Sequence, residues 1–272
     1  MILNSILSSR RIAISVSESE DITSLGFGHE HLVDATIELS RHLLALGAGL
    51  RYGGDLRAGG FTELFSELHY RHRQNSNFVA NEPTFENFLA WPVHISFTPR
   101  ELEECVAAFD DDALRLILLT RNGERMSLVD RRASQLAKPT DDDWSVGLTA
   151  MRLSMNNDSF ARIVLGGRLT GYRGRMPGIA EESLIALDSG LPLFVVGAFG
   201  GCAGAVASAL GLAGKRDAGS LFQNFEQFSD RIFANGLGFA EQQRLASTPH
   251  IDEAATLIVR GLLRIRQWNS SL

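Results

Sequence analysis

The sequence predicts an α/β fold: a Rossmann-like parallel sheet flanked by helices, with additional C-terminal helices. Three observations predict it. Short Ile-, Val- and Leu-rich runs alternate with segments of helical apolar periodicity. Glycine clusters directly follow the runs Leu50 to Tyr52, Arg162 to Leu165 and Leu193 to Val196. The first seventy or so residues read strand, helix, strand, glycine loop, helix, an order that calls for parallel pairing.

Taken in order, Arg11 to Val16 is a strand leading into a Ser/Glu-rich stretch and a glycine turn at Gly26 and Gly28. Leu32, Ala35, Leu39, Leu43 and Leu46 then recur at helical spacing, and Gly47 stands where a helix-ending glycine belongs. Leu50 to Tyr52 is a short strand, and a helix runs from about Thr62 to Arg73. Pro92 to Phe97 reads as a strand, Pro99 to Phe109 as a helix, and Leu114 to Thr120 as either. The acidic runs Asp110 to Asp112 and Asp141 to Asp143 suit solvated loops or helix N-termini. Trp144 to Asn156 and Pro177 to Asp188 read as helices around the strand Arg162 to Leu165, with Pro177 suited to a first turn. After the strand Leu193 to Val196 the chain is helical, and Ala255, Ile258, Leu262 and Ile265 form an apolar stripe. The expected division is a nucleotide-binding domain over 1–215, with an insertion at about 76–143, and a helical extension over 216–272.

Composition narrows the function. With 44% hydrophobic and 21% charged residues the chain can bury a full core. A net charge of -6 disfavours nucleic acid and anionic membrane surfaces as partners, because both need clustered cations. No apolar run reaches membrane-span length and no secretory h-region is legible, so the expected compartment is cytoplasmic. Cys105 and Cys202 do not have metal or redox spacing and read as small buried hydrophobes. His29 and His31 flank Glu30, but neighbours at a helix start point apart, which suits capping better than metal.

The glycine loops carry the chemistry. They are Gly53-Gly54 with Gly59-Gly60, Gly166-Gly167 with Gly174 and Gly178, and Gly197 with Gly200-Gly201. Ligands of open parallel sheets sit beyond the carboxyl ends of the strands, so all three loops should gather at one edge. Glycine allows close backbone approach, and helix-start N–H groups favour an anion. Arg57, Arg168, Arg173 and Arg175 lie among the loops, and arginine suits bidentate phosphate contacts. Ser15, Ser17 and Ser19 can donate hydroxyls to phosphate or ribose, Asp55 and Thr62 are further ligand-binding candidates, and Phe199 can stack on a base or anchor the core. There is no GxGxxG after the first strand and no GxxxxGK[ST] loop, and no cofactor or metal is called for. The segment from Gly174 and Arg175 through Pro177 and Gly178 to Glu181 and Glu182 puts an arginine before a helix start and two carboxylates in its first turns. One Glu facing the cleft could bind ribose hydroxyls or stabilise charge at an anomeric carbon. On this reading Arg175→Ala weakens ligand binding by about 1.5–3 kcal/mol.

These residues resemble the SLOG superfamily, which includes the LOG phosphoribohydrolases, the nucleotide-sensing domains of TRPM channels and sensor domains of anti-phage defence proteins. Tyr52-Gly53-Gly54 with Gly59-Gly60 looks like the family's first glycine loop, and Gly178-Ile179-Ala180-Glu181-Glu182 looks like the end of the LOG motif PGGxGTxxE. On that match Ile179 replaces the Thr, Glu182 takes the final Glu, and Arg152 is the candidate for the catalytic Arg. The interrupted glycine run and the lost Thr place the chain in a divergent branch. The resemblance implies a nucleotide or NAD-derived, ADP-ribose-like ligand, sensed in a defence or stress pathway. The alternative it implies is an N-glycosidic-bond-cleaving nucleotide hydrolase using Glu182, Glu181 and Arg152. It also implies a homo-oligomer. An assembly subunit with a vestigial site stands as a third reading.

Overall fold

The computed structural model describes residues 6–54, 56–75, 85–108, 114–214, 225–229 and 231–269. Its strands are β1 (Arg11–Ser17), β2 (Gly49–Gly53), β3 (Phe85–Leu89), β4 (Leu114–Leu119), β5 (Arg125–Met126), β6 (Ala161–Gly166) and β7 (Leu193–Val196). They form one seven-stranded sheet in the order β5-β4-β3-β2-β1-β6-β7. All neighbours are parallel except β4 and β5. The predicted Rossmann-like α/β architecture is therefore observed.

Helices cover both faces. On one, α1 (His29–Ala45) and α10 (Ile251–Asn269) pack over β1 through Leu39, Leu43, Ile258 and Leu262, against Ile12, Ile14 and Val16. Both sides of the contact are apolar at helical or strand period, which is why they bury together. Helix α2 (Phe61–Asn75) adds Phe65 over Phe85 of β3, ring centroids 5.5 Å apart. On the other face lie α6 (Asp141–Asn156), α7 (Gly178–Asp188) and α8 (Gly201–Ala209). Met151 and Met155 of α6 meet Phe88, while Leu184 of α7 and Ala203 of α8 close over Val164. The remaining helices are α3 (Trp91–His94), α4 (Pro99–Ala108), α5 (Leu128–Ala133) and α9 (Phe239–Ser247). No helix among the described residues is long and apolar enough to cross a membrane.

Several local features follow the expected chemistry. Gly47 takes φ +82° after α1, and His31 Nδ1 accepts the Gly28 N–H at 2.9 Å as a cap. Asp141 to Asp143 open α6, the helix-start alternative, and Leu114 to Leu119 is a strand. Cys202 is buried, which pushes its thiol up to about 12, whereas Cys105 is half-exposed.

One expected strand is a helix. Pro92 to Phe97 begins in α3, where Pro92 sits in the first turn, and the true strand is the preceding Phe85–Leu89. A short apolar run has no period long enough to tell the two apart. The real strand was hidden by Glu86 and Asn87, which are polar yet buried. Glu86 is neutralised by Arg51 of β2, whose Nε donates to Glu86 Oε2 at 2.7 Å. Phe109, the expected end of α4, and Asp110 to Asp112 lie outside the described residues.

Gly201 shows what one side chain would cost. It has φ +57°, and a Cβ there would collide with the Gly167 carbonyl and stand 2.6 Å from Ser19 Oγ. Gly201→Ala is expected to destabilise the fold by about 2 kcal/mol, read by chemical denaturation. An unchanged midpoint would mean that the β6–α7 and β7–α8 turns yield freely.

Two helix caps set an acid limit. The Thr140 N–H, the Thr140 hydroxyl and then Arg121 hold Asp143 down to about 2. The Gly238 N–H, then Arg260 and Arg264, hold Glu241 down to about 2. Both pKa values are lower folded than unfolded. Their stabilisation is therefore complete above the ordinary carboxylate range, near pH 4, and is lost as pH falls toward 2. Asp143→Asn should flatten the decline of stability between about pH 4 and 2. An acid titration of unfolding as steep as that of the wild type would contradict this.

Candidate ligand-binding site

A cavity of about 630 Å³ opens at the carboxyl edge of the sheet, beyond β1, β2, β3 and β6. The chain leaves β1 for β2 on one side and reaches β6 on the other, so the cavity sits where the strand order reverses. Ser15 to Ser17 line it from β1, Tyr52 to Gly54 from β2, and Pro92 to Phe97 in part from the turn after β3. α6 contributes Trp144, Leu148, Met151 and Arg152, while α7 contributes Gly178, Ile179 and Glu182.

Below the wall lies a buried ionic cluster of two arginines and two glutamates. Arg152 Nη1 donates to Glu181 Oε2, and Glu181 Oε1 accepts the Thr149 hydroxyl. Arg152 Nε stands 3.8 Å from Glu182 Oε1. Arg162, fully buried on β6, places Nη1 3.4 Å from Glu182 Oε2 and donates to Ser15 Oγ at 2.7 Å. Arg162 Nε and Nη2 and Arg152 Nε are buried without a hydrogen-bond partner among the described residues. Burial holds the Arg162 pKa below its usual range. The spacing of α7 makes this cluster possible, because Gly178 has no Cβ; one would come within 2.9 Å of Arg152 Nη2.

The wall is strongly cationic. Arg57, Arg152, Arg168 and Arg173 line it, against one carboxylate, Glu182, among the described residues. Arg168 is partly balanced by Glu18, whose carboxyl it holds below the usual range through a hydrogen bond. Arg173 lies over the Trp144 ring, 4.4 Å from its centroid.

Of the residues read from the sequence, Ser15, Ser17, Gly53, Gly54, Arg57, Arg152, Arg168, Gly178 and Glu182 share this wall. Glu181 stands behind it on Arg152. Gly59 donates its N–H to Glu63 Oε2 at 2.7 Å, and Gly60 precedes α2. Thr62 is buried and donates to Asn87 Oδ1 at 3.3 Å. Gly166 ends β6, and Gly167 donates to the Ser17 carbonyl at 2.9 Å. Gly174, Arg175 and Pro177 belong to the same loop but lie off the wall, with Arg175 exposed. Phe199 is buried against Phe27, ring centroids 5.6 Å apart. Gly200 caps α8, whose first N–H, that of Gly201, is taken by Asp21 Oδ1 at 2.6 Å. Asp55 lies outside the described residues.

Sequence reading missed Arg162, Thr149, Tyr172 and Trp144 as parts of the site. One signal was available: an arginine inside the apolar run of β6 has to meet a buried carboxylate.

A family model described as SLOG cluster2 matches residues 6–245. This chain is a SLOG protein. No curated protein matches it. Membership carries the coarse functional class, nucleotide-related ligand binding or glycosidase-like chemistry on a small molecule. In this SLOG chain the matched span contains β1 to β7 and the whole cavity wall.

Proposed function

We propose that the chain binds a nucleotide or NAD-derived, ADP-ribose-like ligand in this cavity, as a signal sensor in a defence or stress pathway. One observation carries the reading: a chain of net charge -6 gathers, among its described residues, four arginines and one carboxylate on a single wall at the sheet's reversal point. The arginines suit phosphates. Glu182 lines the cavity and its ion-pair contacts are long, 3.4 Å to Arg162 Nη1 and 3.8 Å to Arg152 Nε, so its oxygens can accept ribose hydroxyls. Its cytoplasmic setting and homo-oligomeric assembly belong to the same proposal.

A second reading has its own support. Arg152 and Glu182 converge, the arrangement that cleavage of an N-glycosidic bond needs: a carboxylate beside the developing positive charge and a cation for the phosphate. Ile179 in place of a hydroxyl residue weakens it.

The test is a thermal-shift screen with AMP, ADP-ribose, NAD and cyclic ADP-ribose isomers, each recovered by chromatography. A ligand at a hundred times its Kd adds about 2.7 kcal/mol. Stabilisation with intact ligand supports the sensor. Release of free base makes the chain a hydrolase, and no shift with any of them sinks both readings.

A further inference from the structure

The cavity has two chemically different ends. Trp144 and Arg152 stand eight residues apart on α6, an axial separation of about 12 Å. Around Arg152 are Glu181 and Glu182; around Trp144 stand Leu148 one turn on and Pro92 packed against the Gly147 backbone, with the Arg173 guanidinium on the ring itself. A nucleotide has the same division, with a charged, hydroxyl-rich part and a flat base.

We propose that Trp144 is the base platform of this cavity, and that Arg173 gives up the Trp144 ring face to the base and moves to the phosphate. The inference rests on the reading of the cavity as a nucleotide site. The ring demonstrably accepts a flat group, since the Arg173 guanidinium lies 4.4 Å from its centroid. Such a contact at an exposed site is weaker than stacking of a base on an aromatic ring, so the exchange runs toward the base. Arg173 lies between Gly171 and Gly174, and Gly171 already has φ +62°. Backbone freedom on both sides lets the arginine change direction while the loop stays attached. A cationic aromatic-cage ligand is excluded as the occupant, because four arginines share the wall. Trp144 itself is held firmly. Thr140 and Asp143 form a capping box at the start of α6, and Arg121 Nε donates to Asp143 Oδ1 at 2.7 Å.

The experiment compares AMP with ribose 5-phosphate, which lacks the base, by equilibrium titration of the full chain. Trp144→Leu should weaken AMP roughly ten- to a hundredfold and leave ribose 5-phosphate within about twofold. Trp144→Phe, which keeps an aromatic face, should recover most of the AMP affinity. AMP should quench tryptophan emission in the wild type, and the quench should vanish in Trp144→Leu. Equal weakening of both ligands, or unchanged AMP affinity, would overturn the base assignment while leaving nucleotide binding intact. A wild type that binds neither would overturn the nucleotide reading and the assignment with it.

Discussion

Glu182→Gln is expected to lower stability by about 3 kcal/mol and to cost ligand affinity about 1.5–3 kcal/mol. The first effect comes from charge balance. Arg152 and Arg162 face Glu181 and Glu182 in a space where Arg162 is fully buried. With an amide at 182, two guanidinium groups share one carboxylate. Removing one partner of a buried pair costs about 3–5 kcal/mol, and the lower figure applies because Glu182 borders the cavity. The second effect is loss of a charged acceptor for ribose hydroxyls. The double variant Arg162→Met/Glu182→Gln separates the two. It removes the unbalanced cation together with its two unpartnered nitrogens, so stability should return in part while affinity does not. Denaturation and ligand titration on the wild type and the two variants decide the matter. A Glu182→Gln protein that binds as tightly as wild type would take Glu182 out of the ligand's path.

Arg51→Met should cost about 3–4 kcal/mol, at a position with no part in the cavity wall. Arg51 Nε donates to Glu86 Oε2 at 2.7 Å, its Nη1 donates to the Asn157 carbonyl at 2.8 Å, and both charged side chains are nearly fully buried. The substitution strands Glu86 between β2 and β3. Arg11 Nε, 3.4 Å from Glu86 Oε2, limits the loss without removing it. Arg121→Ala provides the contrast. Its partners Asp142 and Asp143 are at the surface, where solvent and salt screen ion pairs and leave them little weight. If both variants unfold at the same denaturant concentration, burial is not what gives the Arg51 pair its weight.

How much of this was legible in the sequence depended on whether the signal was local. β2, β6 and β7 announced themselves because apolar runs ended in glycine, β1 through its Ile- and Val-rich run alone, and α7 because Pro177 opened it. Glu182 and Arg152 were reached through motif resemblance, and the structure brings them onto one wall. What failed to show was long-range. β3 reads as polar until Arg51 arrives from β2 to neutralise Glu86. Arg162 reads as a strand residue until α7 lays Glu182 beside it. Trp144 reads as a helix residue until the loop after β6 sets Arg173 on its ring. Phe199 and the third glycine loop illustrate the reverse. Their local pattern allowed a ligand contact, yet the ring is packed on Phe27 and the Gly201 N–H is held by Asp21.

That last tie has a mechanical consequence. Ser17 touches the cavity, and four residues later Asp21 grips the first turn of α8, with Ser19 Oγ donating to the same carboxylate at 3.0 Å. The segment is a short strut with one end at the ligand and the other on a helix. The edge of the cavity is thereby tied to the start of α8 through one carboxylate, and α8 packs in turn against β6 and β7.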